Sequence, residues 1–160
     1  MLHHAALKLH GLETALVAYP HAFQTIEDAR DWLATYRNDR QKATGSVRQW
    51  LRTLIAEHKP QWLHSHNSHI PNSPAIANVI EEEAAIAGIP HVLTVHDLTV
   101  YPEAHALLKE LKHTKLVTQS IYNQGAIHRA AGRPANSVFT TSKLGLAGDT
   151  IAAWRRRAQR

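Results

Sequence analysis

The chain has 160 residues and a formal net charge of +5, and its 44% hydrophobic and 19% charged residues are ordinary for a globular protein. It has no cysteine, which excludes disulfides and thiolate metal sites. Because no apolar stretch could span a bilayer and the first residues lack a signal-peptide pattern, we expect a cytoplasmic protein.

Helical and strand patterns alternate along the chain. In the first part they predict a helix at Leu2–Leu9, a buried strand at Thr14–Tyr19, a helix at Thr25–Arg37, a polar loop at Asn38–Gly45, and a helix that begins with Ser46 as its cap and ends at Lys59 and Pro60.

The alternation continues through the rest of the chain. We predict a strand ending at His66, a helix capped by Ser73 that runs to Ala87, a strand ending at Val95, a helix at Glu103–Lys112, a strand at Lys115–Thr118, a helix at Tyr122–Ala131, a strand at Ser137–Thr141, and a terminal helix capped by Asp149. Short connections between alternating strands and helices predict an α/β domain, with a parallel sheet of four or five strands covered by helices on both faces.

Two of the predicted strands end abruptly at residues that can bind ligands or carry protons. His66 and Asn67 end the first of these strands, and His96 and Asp97 end the next one. Ligands of open α/β sheets bind outside the carboxyl ends of the strands. Imidazole can carry a proton near neutral pH, and the Asn and Asp side chains suit hydroxyl groups. These two strand ends therefore predict a site.

The same histidines allow a second interpretation, a metal-dependent hydrolase. His64 and His66 are two apart on a predicted strand and share a face, so both could ligate a metal. His96 and Asp97 could supply further ligands, and His69 is nearby. Alternatively, His64 is packed and only His66 reaches the strand end. Chance pairs are also expected among 13 histidines. Ser120, after the Lys115–Thr118 strand, suits either a helix cap or a ligand contact.

The basic residues at the end of the chain allow a third interpretation, a non-catalytic binding module. Arg155, Arg156 and Arg157 could touch an anionic membrane surface, although a solvated helix end is the simpler explanation. We expect no nucleic-acid partner, since no basic-aromatic interleaving or recognised module occurs. No phosphate-binding loop, dinucleotide fingerprint or nucleophile elbow is found either.

The order of the motifs resembles a known family. The runs Trp62–Asn67 and Gly88–Asp97 look like the amino-terminal domain of GT-B glycosyltransferases, closest to family 4 of the retaining enzymes. Leu116–Ser120 and the helix before Gly132 resemble the next family elements, whereas the later turn at 142–146 keeps only its glycine. The resemblance covers roughly residues 2–148.

This resemblance implies a fold and an activity. It implies a Rossmann-like three-layer α/β domain at residues 1–148, one half of a GT-B architecture, and a linker or interdomain helix at 149–160. Such enzymes transfer a hexose from a nucleotide-sugar to a hydroxyl acceptor. By the resemblance, His96 would be the catalytic residue, and the substrate-binding residues would be His66, Asn67, Asp97 and Ser120.

The resemblance also implies what this chain would need from elsewhere. The family domain begins with a strand and a glycine-rich loop, and a second Rossmann-like domain holds most of the nucleotide-sugar; neither has a match here. We therefore expect no metal and no cofactor of its own, a second glycosyltransferase half as a partner, and no activity of the chain alone.

Overall fold

The computed structural model describes residues 13–15, 17, 23–67, 72–96, 105–118, 121–134 and 138–140. The chain divides into two compact units, His21–Ser142 and a second unit made of Met1–Pro20 and Lys143–Arg160. Apart from residues 13–15 and 17, all described residues belong to the first of these units. Among the described residues, no helix has both the length and the apolar character that a membrane crossing requires.

The described unit is an α/β fold with one parallel sheet. Its four strands are hydrogen-bonded in the order β1-β2-β3-β4, which is also their order along the chain. The elements are α1 Ile26–Asn38, α2 Arg40–His58, β1 Leu63–Asn67, α3 Ser73–Ala87, β2 His91–Val95, a 3-10 helix Ala106–Glu110, β3 Lys115–Thr118, α4 Ile121–Ala131 and β4 Val138–Thr140. The predicted alternation and the parallel sheet are confirmed.

The first two helices form a hairpin in which one residue serves both. Thr25 caps α1 in a reciprocal capping box with Asp28, so the helix begins within one residue of its predicted start. The backbone N–H of Asp39 then bonds the carbonyl of Thr35 at the end of α1, and its side chain accepts from the backbone N–H of Lys42 at the start of α2. The predicted loop at Asn38–Gly45 is therefore wrong, and Ser46 lies inside α2 rather than at its cap.

Three other predicted elements differ from the structure. Thr14, Ala15 and Val17 are not in a strand, and Val17 is 42% exposed, so the predicted buried strand is not found at these positions. Ser73 is the first residue of α3, and Asn72 takes the cap position. Within the predicted 103–112 helix, residues 106–110 form a short 3-10 helix. Leu107, Leu108 and the following Leu111 are buried.

One face of the sheet carries the hydrophobic core. Leu93 and Val95 of β2 and Leu116 of β3 point to the same side, because paired residues of parallel strands share a face. They form one buried cluster with side chains from α3, the 3-10 helix, α4 and the residue after the 3-10 helix: Ala77, Leu108, Leu111, Ile127 and Ala131. The opposite face carries His64, His66, Val92, Thr94, Lys115 and Val117. The core thus leaves the two β1 histidines on the other side.

A chain of buried polar groups crosses the core side of the sheet. The Oγ atom of Ser65 lies 2.7 Å from Nε2 of His91, and Nδ1 of His91 lies 2.8 Å from Oγ1 of Thr114. Thr114 donates its hydroxyl proton to Glu81, which also accepts the backbone N–H groups of residues 112–114. Since Thr114 donates to Glu81, its oxygen accepts from Nδ1 of His91, and Nε2 of His91 accepts from Ser65.

The surroundings of these hydrogen-bonded groups fix the protonation states of His91 and Glu81. Burial lowers the pKa of His91 to about 4, so the imidazole is neutral near neutral pH. Burial alone would raise the pKa of Glu81, but the hydrogen bonds from residues 112–114 hold it below its usual value. The carboxylate is therefore ionised and fully engaged.

Ion pairs join α2 to α3. Arg48 bonds both Glu82 and the buried Glu83, and Arg52 makes two further contacts with Glu83. Burial raises the pKa of Glu83, yet the two guanidinium groups outweigh it and keep that pKa below its usual value. Arg40 adds contacts with Glu82 and Glu110. These contacts fix the helical hairpin against the helix that follows β1.

Candidate functional site

The site predicted from the sequence lies at the carboxyl edge of β1 and β2. In the register of these strands, His66 is opposite Thr94 and Asn67 is opposite Val95, and His96 follows the last residue of β2. Both strand ends therefore reach the same edge of the sheet, as the two polar endings predicted. The next sections of the chain, 68–71 and 97–104, lie outside the described residues.

Four aromatic side chains follow one another along the face opposite the core. We call Trp62, His64, His66 and His96 the histidine row. The ring centroids are 5.9 Å apart for Trp62 and His64, 4.5 Å for His64 and His66, and 5.3 Å for His66 and His96. The two histidine pairs are stacked, with interplanar angles of 28° and 18°. The row thus runs from the start of β1 to the carboxyl edge.

The last two rings of the row touch through their nitrogens. Nδ1 of His66 lies 3.0 Å from Nε2 of His96, a hydrogen bond in which one ring donates and the other accepts. His66 is exposed and His96 is half-buried, so this edge of the row meets solvent. Each ring has a second nitrogen that this contact does not use.

His64 has a different role from its neighbours. Its Nε2 atom lies 2.7 Å from the hydroxyl oxygen of Thr94, which is buried in the adjacent strand. This contact fixes the His64 ring beneath that of His66. The interpretation in which His64 is packed and only His66 reaches the strand end is therefore the one the structure supports.

Two residues of this region were missed from the sequence. Asn123, in the first turn of α4, donates its side-chain N–H to the backbone carbonyl of His96 at 3.2 Å and so holds the end of β2. Thr94 orients His64, as described above. The alternation of β2 placed Thr94 on the face of the histidines and could have identified it, whereas nothing local in the sequence points Asn123 toward His96.

The remaining predicted site residues are only partly placed. The backbone of Asn67 ends β1. Asp97, Ser120 and His69 lie outside the described residues, and so do Arg155, Arg156 and Arg157 of the basic end. The structure therefore brings together His66 and His96 of the predicted set.

The hydrolase alternative, which places His64, His66 and His96 around one ion, stays a prediction. In the structure, His64 is bonded to Thr94 and the other two rings are bonded to each other. Within the described part of the chain, no group of three or more His, Asp or Glu side chains could hold a metal ion.

Comparison with known proteins identifies no family for this chain. The chain matches no family model, no curated protein and no solved structure.

Proposed function

We propose that this chain forms the acceptor-side wall of the cleft of a family-4-like GT-B glycosyltransferase, an enzyme that transfers a hexose to a hydroxyl acceptor. One observation carries the proposal: His66 and His96, the two strand-end histidines of the family-like motifs, are paired at the carboxyl edge of adjacent parallel strands. This is the edge where open α/β sheets bind ligands.

The chemistry of the pair suits a sugar or another polyol. Neutral imidazoles both donate and accept hydrogen bonds, as sugar hydroxyls do. Asn123 and His66 hold His96 from two sides, through its backbone carbonyl and through its ring, which limits its reorientation when a ligand arrives. A preorganised polar group of this kind can position an acceptor and stabilise developing charge without a metal.

The proposal assigns the remaining residues by resemblance. Asp97 orients the sugar, Asn67 lines the cleft beside His66, and Ser120 contacts the substrate. The full Rossmann-like three-layer arrangement, the GT-B half and the cytoplasmic location belong to the proposal as well. In the family the nucleotide-sugar is held mainly by a second domain, so we expect this chain to bind an acceptor rather than to catalyse transfer alone.

The test is a sugar titration followed by NMR. The full chain, labelled with ¹⁵N, is titrated with glucose, mannose and N-acetylglucosamine. Each sugar is raised above a dissociation constant of about 1 mM, so that binding of a weak ligand can saturate. We expect saturable shifts at residues 66, 96 and 123. His96→Ala should abolish them, and the matched control His58→Ala, a substitution of an exposed histidine at the end of α2, should leave them unchanged.

Two results would overturn the proposal. One is the absence of saturable shifts with all three sugars and with their methyl glycosides. The other is a stoichiometric zinc in the purified protein that is lost in His66→Ala, because a metal bound at this pair would occupy the nitrogens that the proposal assigns to hydroxyl groups.

A further inference from the structure

A concave site lies at the opposite edge of the sheet from the His66–His96 pair. A cavity of about 790 Å³ opens where β3 begins and α4 ends. We call it the basic groove, and the residues that matter here are Lys109, Lys112, His113, Thr114, Lys115 and Arg133. Its lining contains three lysines and one arginine but no carboxylate. Such a one-sided set of charges favours an anionic ligand.

Two of the four cations already serve the backbone. The guanidinium of Arg133 donates to the carbonyls of Leu111 and Thr114, and the ammonium of Lys112 donates to the carbonyl of Lys109 at 3.1 Å. These carbonyls follow the 3-10 helix or belong to it, where unpaired backbone acceptors collect. Arg133 and Lys112 therefore supply hydrogen-bond donors to the carbonyl oxygens of the groove.

The carboxylate of Glu81, which bonds the backbone of the groove, is also engaged. Glu81 lies behind the segment 112–114 and accepts its three backbone N–H groups and the hydroxyl of Thr114. Its oxygens point at that segment rather than at the groove lysines, and it is buried with 8% exposure. Glu81 therefore holds the segment 112–114, which lines the groove, in one conformation.

Two cations remain for a ligand. Lys109 and Lys115 are exposed, and within the described part of the chain their ammonium groups have no carboxylate partner. They come from different elements, the 3-10 helix and the start of β3, and His113 lies between them in the sequence. An isolated lysine is an ordinary surface residue, but two lysines that line one cavity can contact neighbouring negative charges together.

We infer that the basic groove binds an oligophosphate, that is, two or more linked or neighbouring phosphate groups. Lysine is a common phosphate ligand and acts as a point charge, and several phosphate groups can reach lysines on separate elements at once. The groove is at the amino edge of the sheet, whereas the His66–His96 pair is at the carboxyl edge. The inference is therefore independent of the proposed sugar site.

The experiment is a calorimetric titration of the full chain with tripolyphosphate at constant ionic strength. We expect saturable 1:1 binding that weakens steeply with salt. Lys109→Gln and Lys115→Gln should each raise the dissociation constant about tenfold, the loss of one charge-assisted contact. Lys42→Gln removes the same charge from an exposed lysine of α2 and should change the dissociation constant less than about twofold.

The source of the phosphate groups is resolved by a second probe. Vesicles of phosphatidylcholine with phosphatidylinositol bisphosphate are sedimented with the protein, and vesicles of phosphatidylcholine alone are the control. Retention that depends on Lys115 and is displaced by tripolyphosphate assigns the groove to a lipid headgroup. Tripolyphosphate binding without vesicle retention assigns it to a free oligophosphate. Both results support the inference that the basic groove binds neighbouring phosphate groups.

Two results would overturn the inference. One is non-saturable binding of tripolyphosphate. The other is equal weakening in Lys42→Gln and Lys115→Gln, which would show that net charge alone attracts the anion. Circular dichroism of each variant checks that its fold is unchanged before the comparison.

Discussion

Nδ1 of His66 lies 3.0 Å from Nε2 of His96, so an imidazole-to-imidazole hydrogen bond joins the carboxyl ends of β1 and β2. A neutral hydrogen bond that meets solvent contributes about 0.5–1 kcal/mol to stability. We expect a double-mutant cycle of His66→Ala and His96→Ala to give a coupling free energy of that size in urea unfolding at pH 8. The control pair, His66→Ala with His58→Ala, should be additive, and an equal coupling in that pair would contradict the contact.

His91 should make the protein acid-sensitive. Because burial lowers its pKa from 6.5 to about 4, the unfolded chain binds a proton in this range and the folded chain does not. The free energy of unfolding should therefore be highest above pH 6.5 and fall between pH 6.5 and 4, by at most about 3 kcal/mol. Urea unfolding across this range measures the slope.

Two measurements assign this slope to His91. In the native protein, the NMR titration of the His91 ring should show a neutral imidazole down to about pH 4. His91→Gln should flatten the slope between pH 6.5 and 4, whereas His58→Gln should not. The carboxylates of Glu81 and Glu83 have pKa values below the usual 4.5, so their stabilisation is lost as the pH falls from 4.5 through the lowered values. A His91 ring that titrates near 6.5 would contradict the buried hydrogen-bonded chain.

The two arginines that share Glu83 should differ in their contribution to stability. The side chain of Arg48 is 23% exposed and that of Arg52 is 63% exposed, while Glu83 is 2% exposed. Removing a partner from a buried charge is strongly destabilising, whereas an exposed ion pair contributes little. We expect Arg48→Met to lower the free energy of unfolding by about 2–3 kcal/mol, and Arg52→Met to lower it much less. Equal losses in the two variants would show that the exposure of the arginine does not matter here.

Two glycines should respond to alanine with opposite signs. Gly88 ends α3 with a φ of +70°, and Gly45 lies within α2, and a Cβ at either position would meet no atom within 4 Å. The difference between them is therefore in the backbone. Gly88→Ala should destabilise the protein by about 1–2 kcal/mol, because an L-residue is strained at positive φ. Gly45→Ala should stabilise it by about 0.5–1 kcal/mol. Thermal unfolding of both variants tests whether the stability falls in Gly88→Ala and rises in Gly45→Ala.

The sheet could be predicted from the sequence because its strands carry strong local signals. Lys115–Thr118 is found where it was predicted, and the ends of β1 and β2 differ from prediction by one residue at most. Strands β2 and β3 contain short apolar runs next to polar residues, whereas in β1 only Leu63 is apolar. The end of α3 at Gly88 was predictable for a similar reason, since the chain there adopts a positive φ.

The start of α2 could not be found from hydrophobic periodicity. Its first residues, 40–42, are polar, and polar runs resemble loops. The available signal was Asp39, a good N-cap, which bonds the N–H of Lys42. Tertiary packing also decided the 3-10 helix, where three leucines are buried together by α3 and α4.

The pairing of the site residues was predictable only in outline. Polar endings on neighbouring strands implied that His66 and His96 share an edge. The contact between their nitrogens depends on the register of β1 with β2, and the support from Asn123 depends on how α4 returns to the sheet. Both are properties of the tertiary fold, which local sequence patterns do not contain.

The order of the strands has a consequence for how the protein is made. Each described strand pairs with the strand that directly precedes or follows it along the chain. During synthesis, β2 therefore meets a partner that has already left the ribosome, and β3 and β4 do the same in turn. The sheet can grow from one edge in the direction of translation, without waiting for a later strand to insert between two earlier ones.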